Sequence, residues 1–169
     1  PFMMGIAVSV LVGCALTLPI SSVAICVMLG IDGLAAGAAT VGCCAQMVGF
    51  AASSFRENRW GGIISQGLGT SMLQMGNIVK KPIIWLPATL AAAITGPVST
   101  CLFKLECTGV SAGMGTCGLV GPIGVFTDMG FTPASVFGVL TVCILLPAVL
   151  SLAFSEIMRK LGVIEFGDL

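Results

Sequence analysis

Charged residues cut this chain into uncharged apolar runs, each long enough to cross a lipid bilayer, and that pattern leaves few folds open. Residues 2–31 end at Asp32, 33–55 at Arg56-Glu57-Asn58-Arg59, and 60–79 at Lys80-Lys81. Residues 82–103 end at Lys104 and Glu106, 107–127 at Asp128, and 129–155 at Glu156, Arg159 and Lys160. A spanning helix needs about 20 apolar residues at ~1.5 Å rise each, so every run qualifies by length. A transmembrane barrel would need short segments of alternating polarity instead. Charged residues make up 8% of the chain, about a third of the ~25% typical of soluble domains. The expected fold class is therefore an all-α membrane protein, a polytopic helical bundle, with residues 1–169 forming one transmembrane domain. The chain opens at Pro1 already apolar, with no charged n-region and no cleavage site. It reads as part of a longer permease-like subunit, its C-terminal half, and not as starting with a signal peptide.

The runs differ in content. Residues 33–55, 82–103 and 131–155 are rich in Ala, Val, Leu and Ile and read as true spans. Residues 60–79 carry Gly61, Gly62, Gly67, Gly69 and Gly76 together with Ser65, Gln66, Thr70, Ser71, Gln74 and Asn77. Residues 107–127 are similarly rich in glycine and include Thr108, Ser111 and Thr116. Irregular, polar backbone at membrane depth survives only where protein or a wet cavity surrounds it. Both runs therefore read as re-entrant hairpins or broken helices. Positive charge favours the cytoplasmic side. If 60–79 dips in and returns, the Arg56/Arg59, Lys80/Lys81 and Arg159/Lys160 clusters all share that side, and Lys104 and Asp128 lie outside.

A weak internal repeat supports the same reading. Gly67-Leu-Gly-Thr-Ser71 matches Gly113-Met-Gly-Thr-Cys117. Two such loops entering from opposite faces form the pattern of an inverted repeat with a midplane binding site. The first run is interrupted by Pro19, with Thr17, Ser21 and Ser22 around it. Proline removes a helix hydrogen bond, so the run is either a kinked span or a helix broken at membrane depth. Gly33 and Gly37 give a GxxxG spacing suited to close helix packing.

Candidate solute-binding residues are those of the glycine loops: Gln66, Gly67, Gly69, Thr70, Ser71, Gln74, Asn77, Gly113, Gly115 and Thr116. Glycine allows close approach to the backbone, and the side chains supply hydrogen bonds to a hydroxyl-rich solute. Glu106, an ionisable group near membrane depth, joins them, and Pro19, Ser21 and Ser22 mark the candidate helix break. Asp128, at the other flank of the second glycine-rich run, is either a similar candidate or a solvated loop charge; Asp32 reads as a loop residue, and Trp60 and Trp85 as interfacial anchors. The apolar setting of Cys14, Cys26, Cys43, Cys44, Cys101 and Cys143 makes them small packing residues. The chain has no His and no CxxC spacing, so neither a metal site nor a hydrolytic triad is expected, and no cofactor. Seven basic residues balance seven acidic ones, which leaves no basic face for nucleic acid.

Longer strings carry a family resemblance. Thr17-Leu-Pro-Ile-Ser-Ser22, Gly37-Ala-Ala-Thr-Val-Gly42, Gln46-Met-Val-Gly-Phe50 and Ser54-Phe-Arg-Glu-Asn58 come first. Trp60-Gly-Gly62, Gln66-Gly-Leu-Gly-Thr-Ser71, Asn77-Ile-Val79 and Gly113-Met-Gly-Thr-Cys-Gly-Leu-Val-Gly121 complete the set. Together they resemble the membrane subunit, enzyme IIC, of bacterial phosphotransferase systems, in the branch that includes perfringolysin O regulator-like proteins. The resemblance implies a multi-pass permease of the bacterial cytoplasmic membrane, acting on a sugar or sugar-like solute. It implies partner IIB and IIA subunits, phosphorylation of the emerging solute largely on IIB, and a homodimer. Members of the wider class use His and Glu near the sugar; this chain lacks His, so no catalytic residue is carried over. Family members are about twice this length. The alternative is a non-transporting membrane sensor of the same fold, and a third reading is an ion-coupled transporter.

Overall fold

A buried helix of small residues organises the fold. The computed structural model describes residues 2–18, 21–69, 74–115, 120–130, 133–162 and 164, which are helical apart from short connections. Helix α3 (Gly33–Ser53) is buried at every position from Ala36 to Met47. Its Ala, Gly and Cys side chains let neighbouring backbones approach closely, which is how helices gain dispersion energy where lipid is as apolar as protein. Helix α1 (Phe2–Thr17) lies against one flank. A methyl at Gly42 would strike the backbone of Ser9, and one at Gly13 would meet the Gly42 carbonyl. Helix α6 (Leu86–Pro97), entered through a 3₁₀ turn (Pro82–Trp85), crosses a second flank, with Ala88 beside Gly49. Helix α10 (Leu146–Lys160), which follows the short α9 (Pro133–Gly138) and a π-helical stretch, takes a third, with Ser151 beside Gly49.

Residues 33–53, 82–102 and 136–160 are long and apolar enough to cross a membrane, at 21, 21 and 25 residues. These are the three spans expected from the sequence. Hydroxyls inside them fold back onto their own helices: Thr40 Oγ1 donates to the Ala36 carbonyl at 2.9 Å and Thr95 Oγ1 to Ala91 at 2.8 Å. The outer face of the last span is apolar and exposed, with Leu140, Leu145, Val149 and Leu152 turned outward. Two stretches of π-helix, Val98–Phe103 and Val139–Leu145, adjoin Pro97 and Pro147. Pro147 lacks the N–H that would bond the Cys143 carbonyl in the ordinary ladder, and the wider turn before it accommodates the gap.

The helices sort by direction. Gly5 meets Gly96 and Ser9 Oγ donates to the Ala92 carbonyl at 2.9 Å, so α1 runs antiparallel to α6. Thr17 reaches Gln46, so α1 runs with α3. Arg159 meets Ser53 and Glu57, so α10 also runs with α3. Phe50, Ile78, Ile84, Ala88 and Met158 form one apolar cluster at that end, which places Lys80 and Lys81 beside it. The basic clusters therefore gather at the C-terminal end of α3. At the other end, the extended segment around Cys107 pairs with Gly33, Gly33 N–H to Cys107 O at 3.2 Å and Cys107 N–H to Gly33 O at 3.4 Å.

The first run is not one kinked span. Helix α1 stops at Thr17 and α2 (Ser22–Met28) returns toward the start of α3. Val8, Leu11, Val12 and Ala15 face Ile25, Leu29 and Ile31 across an apolar cleft of about 330 Å³. Pro19 lies outside the described residues. The Gly33–Gly37 spacing has a different use from the expected helix packing: Gly33 opens α3 at φ +63°, and Gly37 receives the Leu105 carbonyl of the extended segment. The close helix contact falls on Gly42. None of the six cysteines read as packing residues forms a disulfide; Cys26, Cys43, Cys44 and Cys143 are buried, Cys14 is half-buried and Cys101 is exposed.

Candidate functional site

The first glycine-rich segment starts and finishes at the basic end. Helix α4 (Phe55–Gly62) follows α3 directly and leads into a π-helical turn (Ile63–Gly69). Helix α5 (Met75–Lys80) then brings the chain back. Between them lies a cavity of about 410 Å³ lined by Asn58, Gly61, Gly62, Ser65, Gln66, Gln74 and Asn77. Gln66 and Gln74 are buried. Ser54 Oγ donates to Gln66 Oε1 at 3.3 Å, and Asn77 Nδ2 donates to Gln74 Oε1 at 2.9 Å. A break at Arg59 folds Gly62 back onto the preceding turn: a Cβ on Gly62 would press on Asn58 and lie 3.6 Å from Ser54 Oγ. A Cβ added at Gly67 would stand 3.7 Å from that of Ala51, an ordinary packing distance, while Gly69 is exposed. Thr70 and Ser71 lie outside the described residues.

The second glycine-rich segment starts and finishes at the opposite end. Helix α7 (Gly109–Ala112) carries the chain inward, and α8 (Val120–Met129) carries it back, with Gly124 against Ser111. Its inner turn meets the α1/α2 break: Ser22 Oγ donates to the Gly113 carbonyl at 2.6 Å, and Gly113 abuts Val23 N and the Ser22 backbone. Ser21 caps α2, its Oγ accepting from Ala24 N–H at 3.2 Å. Gly115 adopts φ +56°, and a Cβ there would meet Cys43 and Cys44. Only glycine takes both that conformation and that clearance readily. Thr116 lies outside the described residues.

The two loops thus face the same helix at different levels. Gly67 is beside Ala51 and Gly115 beside Cys43, eight residues apart on α3, or about 12 Å at ~1.5 Å per residue. The described parts of the repeated motif also differ in conformation, a π-helical turn in one copy and a left-handed glycine in the other. The structure brings Gln66, Gln74 and Asn77 together, and Ser22, Gly113 and Gly115 together. It sets Glu106 apart from both: the residue is exposed at the end of the bundle, where its N–H donates to Met129 Sδ at 3.3 Å.

Two polar groupings were not assigned a role from the sequence. Trp85 is more than an interfacial anchor, since its indole N–H donates to Gln46 Oε1 at 3.0 Å. Thr17 Oγ1 donates to the same oxygen at 3.4 Å, and Gln46 Nε2 donates to Thr89 Oγ1 at 3.4 Å and to Cys14 Sγ at 3.8 Å. One amide therefore ties α1, α3 and the start of α6. The available signal was an amide in the middle of an apolar run, which must find partners. The second grouping is Glu57 with Arg159, both of which read as boundary charges; their side chains are 7% and 9% exposed and pair at 2.7 Å.

Comparison with known proteins places these features in a family. The family model described as "Phosphotransferase system, EIIC" matches residues 1–169. No curated protein matches the chain, and no solved structure does.

Proposed function

The chain belongs to the phosphotransferase system EIIC family, and from that premise we propose that it translocates a sugar or sugar-like solute across the bacterial cytoplasmic membrane for phosphorylation by a partner IIB subunit. The polar cavity at the basic end is its solute site, with Gln66, Gln74 and Asn77 as ligands. The observation that carries this reading is the wall of that cavity. Amides and a hydroxyl dominate it in a chain that is otherwise 57% hydrophobic. Its volume falls within the ~300–1,000 Å³ usual for small-molecule sites. Uncharged amides suit a neutral, hydroxyl-rich solute, because each offers both donor and acceptor. The basic clusters make this end cytoplasmic, so the site lies where a soluble phosphoryl donor could reach a bound sugar. Residues 60–79 are then a re-entrant hairpin from the cytoplasm and 107–127 one from outside.

Equilibrium binding of a labelled sugar panel to the purified protein tests the site. Loss of one neutral hydrogen bond costs about 0.5–1.5 kcal/mol, so Gln74→Leu and Asn77→Leu should each weaken binding of the preferred sugar roughly threefold to tenfold. Unchanged affinity in both variants, at wild-type expression, would move the solute away from this cavity.

A further inference from the structure

Helix α4 is poorly held by its own backbone. Arg59 interrupts it at φ 54° and ψ −142°, a region that residues with a Cβ rarely occupy. What precedes Arg59 is a single turn, in which Glu57 N–H and Asn58 N–H donate to the Ser54 carbonyl at 3.0 and 2.8 Å. That turn carries Asn58, part of the cavity wall, on one side and Glu57 on the other. Glu57 faces α10, where Ser151, Ser155 and Arg159 recur every four residues along a buried stripe. The stripe provides little hydrogen-bonded hold above its last member. Among the described residues Ser151 Oγ and Ser155 Oγ are buried without partners, and Ser53 Oγ reaches the Ser151 carbonyl only at 3.4 Å. Arg159 is different. One guanidinium nitrogen, Nη2, donates both to Glu57 Oε1 at 2.7 Å and to the Ser53 carbonyl at 3.2 Å.

We propose that Arg159 is a positioning residue for the polar cavity: by gripping the end of α3 and the first turn of α4 at once, it fixes the rotation of that turn and hence the place of Asn58. The assignment of a solute to the cavity rests on the function proposed above; the grip itself does not. Burial leaves water little access to compete for these bonds, and the one between the two charged groups is short, at 2.7 Å. The grip also makes the last span a structural part of the site, although none of the described residues lining the cavity belongs to that span.

The test separates positioning from mere stability. Gly61 lines the cavity and has open space where a Cβ would stand, so Gly61→Cys serves as a reporter, its maleimide labelling read by peptide mass spectrometry. Arg159→Gln should raise the labelling rate at position 61 at least fivefold. It should raise the KM for the preferred sugar about tenfold while leaving the maximal rate within twofold. Should Arg159→Gln fail to accumulate, the double replacement Glu57→Met with Arg159→Leu decides, because removing both buried charges together commonly preserves folding. That protein should be monodisperse and show the same faster labelling and raised KM. Wild-type labelling or wild-type KM in the folded double variant overturns the proposal and leaves the pair as a stabilising contact. If the parent protein takes up no sugar, the proposed function fails instead, and labelling alone decides on Arg159.

Discussion

A methyl group added at Gly42 would land on the backbone of Ser9, and one added at Gly76 would meet nothing. The two glycines look alike in the sequence, and their mutants should not. Overpacking typically costs about 1–3 kcal/mol even where side chains can yield, and backbone yields less. Gly42→Ala should therefore sharply reduce folded protein, measured as the monodisperse fraction after detergent extraction. Gly76→Ala should leave that fraction unchanged or raise it, since alanine is favoured over glycine inside a helix by about 0.5–1 kcal/mol. Gln46 makes a second contrast. Gln46→Leu fits the volume but leaves the half-buried Trp85 indole N–H without its acceptor, and an orphaned donor costs about 1–3 kcal/mol when fully buried. A fall in the thermal midpoint of the detergent-solubilised protein should follow, and no fall would show that water replaces the amide. Neither role could be read from sequence. Whether a glycine is a contact or a gap depends on which backbone lies opposite, and the partners of an amide in an apolar run come from helices about 30 to 40 residues away.

Elements were more legible. Three spans follow from uninterrupted apolar runs, because the bilayer sets the length and charge sets the boundaries. The two glycine-rich runs were set apart from the spans by polar side chains that lipid would not tolerate, and among the described residues neither contributes a helix long and apolar enough to cross a membrane. The α1/α2 break was left open, since a proline alone does not say whether a helix bends or reverses. Reversal depends on the Ser22–Gly113 hydrogen bond and on the return of α2 along α1, which are contacts between distant segments. Pro19→Ala tests the importance of the break. With a continuous helix across residues 17–22, α2 cannot seat Ser22 on Gly113, and activity should fall more than expression. Wild-type activity at wild-type expression would mean that the chain reverses there without help from the proline.

At the scale of the whole molecule, charge and packing agree. The basic clusters meet at one end because Arg159 binds Glu57 and because Ile78, Ile84 and Met158 share a cluster with Phe50. Lys104 lies at the other end, next to the segment that pairs with Gly33. Cysteines placed at Lys80 and Lys104 should thus react with impermeant maleimide from opposite faces, position 80 from the cytoplasm. Labelling of both from one face would contradict this architecture. The cavity between α4 and α5 was foreshadowed by Gln66, Gln74 and Asn77, but its size was not, because it depends on where two short helices diverge. Uptake of a labelled sugar panel into membrane vesicles bears most directly on the central claim of phosphotransferase-type transport. At least one sugar should accumulate as its phosphate only when phosphoenolpyruvate and the general phosphotransferase proteins are present. Accumulation of free sugar independent of phosphoenolpyruvate, or no uptake of any sugar by well-expressed protein, would contradict it.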